Sequence, residues 1–129
     1  MSTPEPGAAN RPAVLLVDDE AEIIKVLSLG LARDFDVEGA RSANEAEVMM
    51  ATRHYDVVVC DHLMPGEEGL NFLIRARRQF PKVQRILLTG YVNPELLSRS
   101  TELAGLASCL MKPIKVPDLI AAIRLALPL

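Results

Sequence analysis

Short apolar runs recur along the chain, separated by longer segments in which apolar residues return every three or four positions. Such alternation is typical of repeated strand and helix units that build a parallel sheet. The apolar runs predict five strands, at residues 13–17, 35–40, 57–60, 85–88 and 107–111. The run at 57–60 is typical of a strand that is buried on both faces, and the run at 13–17 has the same shape.

The segments between the runs predict five helices. Residues 21–33 carry apolar residues at helix spacing, and residues 44–54 follow Ser42, a favourable N-terminal cap. Residues 69–79 repeat the pattern, and Pro94 is well placed to start a fourth helix because a first turn does not need its missing N–H. Residues 118–127 make the fifth helix, so the sequence predicts a (βα)₅ domain of the α/β class.

Five consecutive strand and helix units most simply form a doubly wound sheet, because crossovers between parallel strands are almost always right-handed. Helices then cover both faces of the sheet. Residues 1–12 are rich in proline and small polar residues and have too little apolar surface to order themselves. We therefore predict a flexible tail at 1–12 and one domain at 13–129.

Composition narrows the class of protein. The 129 residues are half hydrophobic but only 4% aromatic, which predicts an aliphatic core in a single soluble domain. A net charge of −3 gives no electrostatic case for nucleic-acid binding by this domain. We also expect no signal peptide and no membrane span, and the two cysteines, Cys60 and Cys109, read as free apolar thiols suited to the cytoplasm.

Polar residues follow four of the five predicted strands at their carboxyl ends. Asp18 and Asp19 follow the first strand, Asp61 the third, Thr89 the fourth and Lys112 the fifth. Each has an ordinary structural explanation on its own, as a cap, a turn residue or a solvated charge. Parallel strands, however, bring their carboxyl ends to one edge, where ligands bind in sheets of this kind. The second strand delivers no such group.

Three carboxylates at one edge repel each other unless one is protonated or a cation neutralises them. Mg²⁺ suits a small open site with oxygen ligands. Together with an ammonium and a hydroxyl, such a site would stabilise charge on a transferring phosphoryl group. A carboxylate can be the nucleophile, giving an aspartyl-phosphate. Spacing favours Asp61 for this role and the adjacent pair for metal binding, but does not decide between them.

Four motifs then match, in order, those of a known family. The chain resembles the receiver domains of two-component response regulators over nearly all of residues 13–127. The matching strings are LLVDDE, DHLMPGEEG, LLTG and MKP. The resemblance implies a flavodoxin-like fold with strand order 2-1-3-4-5. It also implies a module that catalyses only its own phosphorylation and dephosphorylation.

The resemblance assigns roles to individual residues. Asp61 would accept the phosphoryl group from a phosphohistidine on a sensor histidine kinase or a histidine phosphotransfer protein. Asp19, Asp61 and the backbone carbonyl of Leu63 would ligate Mg²⁺, with Asp18 acting through water. Thr89 and Lys112 would contact the phosphoryl oxygens, and the peptide bond after Lys112 would be cis, an isomer open to it because proline follows.

One position departs from the family pattern. The aromatic residue usual three positions before the lysine is here Cys109. The phosphoacceptor site is complete while the usual switch residue is missing, so the standard output route is in question. Our hypothesis is that Tyr91 takes over part of that role.

The first and fifth helices each allow two interpretations. The first helix has more apolar positions than one core stripe needs, which favours extra core packing over a face that docks a kinase four-helix bundle. The fifth helix is either buried along much of its length or forms a partner or homodimer contact. We expect His62 to be exposed and idle and His54 to end the second helix.

The function also has an alternative, an interaction module of the same fold that never carries phosphate. No output domain is visible in the sequence. The chain is either a free-standing receiver that binds a downstream protein when phosphorylated or a piece of a longer regulator.

Overall fold

The computed structural model describes residues 11–90 and 94–128, without side chains at positions 94, 96, 97, 99 and 100. Five strands alternate with five helices. The strands are β1 (Ala13–Val17), β2 (Asp36–Ala40), β3 (Val57–Asp61), β4 (Gln84–Thr89) and β5 (Ser108–Met111). The helices are α1 (Ala21–Leu31), α2 (Ala43–Thr52), α3 (Gly69–Gln79), α4 (Pro94–Ala104) and α5 (Val116–Ala126). The predicted α/β architecture is confirmed.

The five strands form one parallel sheet in the order β2-β1-β3-β4-β5, which confirms the predicted order 2-1-3-4-5. In register, Val17 of β1 lies beside Cys60 of β3, and Thr89 of β4 lies beside Met111 of β5. The carboxyl ends of these four strands therefore lie within two residues of each other in register. That alignment brings the residues that follow them to one edge.

The sheet is covered on both faces, each with its own apolar core. Alternate strand residues point to opposite faces, so neighbours such as Leu15 and Leu16 belong to different cores. Buried residues of α1 and α5, including Leu31 and Ile123, pack on one face. Residues of α2 and α3, including Met50 and Leu73, pack on the other. The cores are almost entirely aliphatic, as the composition predicts.

The element boundaries differ from the prediction by up to two residues. The second helix ends at Thr52, because Arg53 adopts an extended backbone, so the prediction that His54 ends it is wrong. The fifth helix begins earlier, at Val116, because Pro117 is tolerated in a first turn. The predicted Ser42 cap is confirmed: its side-chain oxygen accepts a hydrogen bond from the Glu45 N–H at 3.1 Å.

Two arginines bind the carbonyl end of α4. Arg85 of β4 is only 7% exposed and donates to the carbonyls of Ala104 at 2.7 Å and Gly105 at 3.2 Å. Arg77 of α3 donates to the Glu102 carbonyl at 2.7 Å. The last carbonyls of a helix have no donors within the helix, so these guanidinium groups supply them. The end of α4 is thereby fixed to the sheet and to α3.

Three other predictions concern the tail, membrane-spanning helices and the cysteines. The predicted flexible tail falls, apart from its last two positions, outside the described residues. No helix in the part of the chain that the structure describes is long and apolar enough to cross a bilayer. Cys60 and Cys109 carry free thiols, as predicted, with Cys60 buried and Cys109 half-buried.

Candidate functional site

The residues predicted for the site lie at the carboxyl edge of the sheet. Asp61 and Thr89 are the last residues of β3 and β4 and are 4% and 3% exposed. Asp18 and Lys112 each come directly after a strand, and their backbone N–H groups still bond to the adjacent strand, at 3.0 Å and 2.9 Å. These bonds extend the sheet pattern past the strand ends. The edge is therefore held in alignment at the point where the polar side chains begin.

Three carboxylates converge at this edge. One oxygen from each of Asp18, Asp19 and Asp61 lies within 4.8 Å of the others, a spacing at which a single metal ion could contact all three. Asp18 is buried, and its Oδ1 accepts a hydrogen bond from the Glu20 N–H at 2.9 Å. Burial raises the pKa of Asp18, and the negative charge of Asp61 raises it further. A divalent cation would relieve both effects, so this donor set fits Mg²⁺.

Lys112 reaches the same cluster from the β5 side. Its Nζ lies 2.6 Å from Oδ1 of Asp61. Burial alone would lower the pKa of Lys112, but the hydrogen bond to Asp61 and the charges of Asp61 and Asp18 outweigh it and raise the pKa. Lys112 therefore stays an ammonium at neutral pH. The Lys112–Pro113 peptide bond is cis, as the resemblance implies.

Leu63 and the loop that follows β3 complete the predicted set. Leu63 lies two residues beyond Asp61, and its side chain is 65% exposed. The loop returns to the strand where α3 begins, because the Gly69 N–H donates to the His62 carbonyl at 2.8 Å. A Cβ atom on Gly69 would lie only 2.1 Å from the Asp61 carbonyl oxygen. Glycine is needed here to let α3 approach the backbone of Asp61 so closely.

The prediction that β2 delivers no polar group to the edge is wrong. Arg41 comes directly after β2, and its Nη2 donates to the backbone carbonyl of Asp19 at 3.1 Å, with Nε at 3.4 Å. The guanidinium thus braces the loop that carries the acidic pair. Its position after the strand was the available signal, but an exposed arginine next to a serine cap looks like an ordinary solvated residue.

His62 is not the exposed residue that the sequence predicts. Its side chain is 12% exposed, and its Nδ1 is a buried atom without a hydrogen-bond partner among the described residues. Its Nε2 lies 3.8 Å from a carboxylate oxygen of Glu68. His54, by contrast, is exposed, with its Nε2 3.4 Å from Asp56. Loop histidines carry no sequence signal for burial, which here follows from the close return of the loop to β3.

Cys109 occupies the position where the family pattern has an aromatic residue. It is half-buried and packs against the core on the α2 and α3 face. Burial raises the pKa of its thiol, so it stays a small apolar group at neutral pH. Tyr91, proposed from the sequence to take over the switch role, lies outside the described residues.

The surplus apolar residues of α1 are at the surface, so the predicted extra core packing is wrong. Val26 is 58% exposed and Ile23 is 36% exposed. Together with Pro113 and Ile114 they line a groove that continues to Lys112 at the site. The fifth helix is buried on one face through Leu119 and Ile123, while its Leu125 is 85% exposed.

Comparison with known proteins gives consistent matches. The family model for the response regulator receiver domain matches residues 14–124. A hydrogenase transcriptional regulatory protein, HoxA, of Cupriavidus necator is 34% identical over 113 residues, which cover 88% of this chain and 23% of that protein.

Among solved structures, the signal receiver domain of an HD domain-containing protein from Pseudomonas fluorescens is 32% identical, with a TM-score of 0.84. The match covers 90% of this chain and 94% of that one. A CheY-like response regulator receiver domain protein from Methanospirillum hungatei is 28% identical, with a TM-score of 0.82 over 88% and 91% of the two chains. The chain spans about a quarter of the length of curated relatives such as HoxA.

Proposed function

The chain belongs to the response regulator receiver domain family, and we propose that it accepts a phosphoryl group on Asp61 in a two-component or phosphorelay pathway. The donor would be a phosphohistidine on a sensor histidine kinase or a histidine phosphotransfer protein. The observation that carries the proposal is the meeting of Asp18, Asp19 and Asp61 within 4.8 Å, with the Lys112 ammonium 2.6 Å from Asp61.

The transfer would be a nucleophilic displacement at phosphorus. A carboxylate oxygen of Asp61 forms the new O–P bond, and the N–P bond to the donor imidazole breaks with its electron pair left on nitrogen. The Lys112 ammonium neutralises charge on Asp61 before the reaction and on the phosphoryl oxygens afterwards. Thr89, the last residue of the neighbouring strand, would offer its hydroxyl to a phosphoryl oxygen. Catalysis by such groups is mainly positioning and electrostatic stabilisation.

The acidic cluster would hold Mg²⁺, which when bound supplies positive charge to the phosphoryl oxygens. Asp19, Asp61 and the Leu63 carbonyl are the direct ligands in this proposal, and Asp18 acts through water. Arg41 supports the set from outside, since it holds the backbone of Asp19 by hydrogen bonds.

The groove beside α1 is the proposed docking surface for the donor. It is apolar, it is lined by Ile23, Val26 and the segment after Lys112, and it ends at the site itself. A helix of a kinase or phosphotransfer four-helix bundle could lie in it with its phosphohistidine facing Asp61. Continuity with the site is the argument for this occupant over a downstream partner.

The signal would leave the domain by phosphorylation-dependent binding of a downstream protein or of an output domain outside this chain. The relatives named above include a transcriptional regulatory protein and an HD domain-containing protein. A homodimer contact through the exposed Leu125 and a cytoplasmic location stay predictions.

The test of the phosphoacceptor is the intact mass of the protein after incubation with acetyl phosphate. We expect one phosphoryl adduct that requires Mg²⁺ and is absent from Asp61→Asn. An unlabelled wild type, under conditions that label another receiver domain, would contradict the proposal and favour a phosphate-independent interaction module.

Docking is tested separately, with any phosphorylated histidine kinase that labels the wild type. Val26→Asp should slow transfer from the kinase while leaving labelling by acetyl phosphate unchanged. Leu29→Asp is the matched control, because Leu29 is 73% exposed on the same helix but does not line the groove. Equally slow transfer from the kinase in both variants would argue against the groove as the docking surface.

A further inference from the structure

An ion cluster links α2, α3 and the loop between β3 and α3. Arg75 of α3 lies between two carboxylates, Glu47 of α2 and Glu67 of the loop. Its Nε donates to Glu47 at 2.9 Å, and its Nη2 donates to Glu67 at 2.7 Å while Nη1 donates to the other oxygen of Glu67. The pair with Glu67 is therefore a two-point fork, the most directional geometry that an arginine can make. We call these three residues the Arg75 triad.

The Arg75 triad is partly shielded from solvent. The side chains of Glu47 and Glu67 are 28% and 29% exposed, and that of Arg75 is 38% exposed. The hydrogen bonds from Arg75 lower the pKa of Glu67, and the same bonds raise the pKa of the guanidinium. Glu67 and Arg75 therefore form a charged pair at neutral pH.

The loop that the triad holds is the one that carries Leu63. Hydrogen bonds fix its two ends: the His62 N–H donates to the Leu88 carbonyl at 2.9 Å, and the Gly69 N–H returns to the His62 carbonyl. Between these ends the chain passes through Gly66, whose φ of 85° lies in the left-handed region and whose surroundings are open. Glu67, next to this turn, is tied to the body of the domain by Arg75.

We propose that Arg75 is a positioning residue for Mg²⁺ binding. By holding Glu67 against α3 and α2, it would fix the loop that carries the Leu63 carbonyl, the proposed backbone ligand. The inference rests on the proposed function, since it takes the Leu63 carbonyl as a metal ligand. It assigns a role at the site to a residue that belongs to none of the matching motifs.

The charges give this proposal a sharp test. Removing the positive charge of Arg75 makes the surroundings of the acidic cluster more negative. This electrostatic effect alone would tighten the binding of a cation. Release of the loop would weaken it. The two explanations therefore predict opposite signs for Arg75→Met.

The first experiment is a calorimetric titration of the protein with Mg²⁺. We expect Arg75→Met to raise the dissociation constant about tenfold, the lower end of the effects seen for groups that orient metal ligands. Arg78→Met is the matched control, because it removes the same charge from an exposed position on the same helix. It should leave the constant unchanged or slightly lower. In acetyl phosphate labelling, Arg75→Met should need correspondingly more Mg²⁺ but reach the wild-type rate at saturation.

The second experiment follows hydrogen exchange in the metal-free protein. Amides of residues 63–68 should exchange about threefold to tenfold faster in Arg75→Met and in Glu67→Gln than in the wild type. Glu47→Gln should have a smaller effect, because the fork between Arg75 and the loop survives in it. The double variant Arg75→Met with Glu67→Gln should exchange no faster than either single variant, since both break the same link.

The outcomes separate the inference from the function beneath it. If the wild type binds Mg²⁺ and is labelled but Arg75→Met binds Mg²⁺ as tightly or more tightly, the positioning role is overturned and the receiver function stands. Unchanged loop exchange in Arg75→Met overturns it as well. If the wild type binds no Mg²⁺, both the positioning role of Arg75 and the proposed receiver function are overturned.

Discussion

The close approach of α3 to β3, the strand that ends on Asp61, gives the most exacting prediction. A Cβ atom on Gly69 would lie 2.1 Å from the Asp61 carbonyl oxygen and 3.0 Å from the Cys60 sulfur. Contacts below 3.0 Å are not tolerated, so α3 or β3 must shift by about 0.9 Å. Both neighbours belong to the backbone and the buried core, so neither can turn aside as a flexible side chain would.

The cost of Gly69→Ala follows from that shift. Overpacking in a core costs about 1–3 kcal/mol, and loss of the Gly69 hydrogen bond to His62 adds about 1 kcal/mol. The higher helix propensity of alanine offsets up to about 1 kcal/mol. We therefore expect the free energy of unfolding to fall by about 1–3 kcal/mol, with the melting temperature about 4–12 °C lower. Labelling of Asp61 should slow as well, because its backbone moves.

Gly90→Ala is the matched control. Gly90 also lies at this edge of the sheet, but a Cβ atom there would be 3.9 Å from its nearest neighbour, Lys112, an ordinary contact. Its stability should change by less than about 0.5 kcal/mol. Urea unfolding followed by far-ultraviolet circular dichroism is the assay, since the chain has no tryptophan to report by fluorescence. Equal stability of the two variants would refute the steric argument.

Three further predictions concern the metal, the buried carboxylate and the buried arginine. Mg²⁺ should raise the free energy of unfolding of the wild type by about 1.4 kcal/mol for each tenfold excess over its dissociation constant, and the melting temperature should rise accordingly. The gain should be small in Asp19→Asn, and chelation of the metal should reverse it. In metal-free protein at pH 7, Asp18→Asn should be more stable than the wild type in urea unfolding, because the folded-state pKa of Asp18 is raised. The wild type gains stability as pH falls through that raised pKa toward 3.8, the ordinary value, so the variant's advantage should shrink; a constant difference across this range would contradict the assignment. Arg85→Met should cost about 2–4 kcal/mol because buried carbonyls at the end of α4 lose their donor, while Arg78→Met should stay within about 0.5 kcal/mol; similar thermal shifts in both would count against it.

The architecture was predictable because its signals are local and repeated. The central strands β1, β3 and β4 are apolar runs that are buried almost throughout, and helices such as α1 and α3 carry apolar residues at helix spacing. The edge strands β2 and β5 are less buried, but their runs lie at the expected places in the alternation, so the (βα)₅ order follows from the pattern. The ends of the helices and strands were predicted less accurately. The start of α5 at Val116 was missed because Pro117 looks like a break, although proline is well tolerated in a first turn.

The acidic edge was also predictable, because parallel strands carry sequence position into space. Asp18 and Asp61 are far apart in the chain but lie at the ends of adjacent strands, so their meeting follows from topology. The bracing of Asp19 by Arg41 and the cluster around Arg75 could not be foreseen. They depend on which rotamer a long, charged side chain adopts and on the path of a loop, and neither produces a periodic pattern in the sequence.

The predictions that His62 is exposed and that the surplus apolar residues of α1, such as Val26, pack in the core failed for related reasons. A histidine in a loop and a valine on a helix have typical environments, and the sequence offers only those averages. Here the His62 side chain is only 12% exposed although it belongs to a loop, and α1 has more apolar residues than its contact with the sheet can use. Tertiary packing decides both cases.

The division of the core by the sheet bears on how the sequence can vary. Leu15 and Leu16 are adjacent in the chain but belong to separate cores, whereas Leu16 and Ile123 share one. A change of volume at Leu16 must be absorbed by α1 and α5, and the layer formed by α2 and α3 does not feel it directly. Compensating substitutions should therefore arise between distant positions on one side of the sheet rather than between sequence neighbours. Either layer could be remodelled for a new partner while the other keeps its packing.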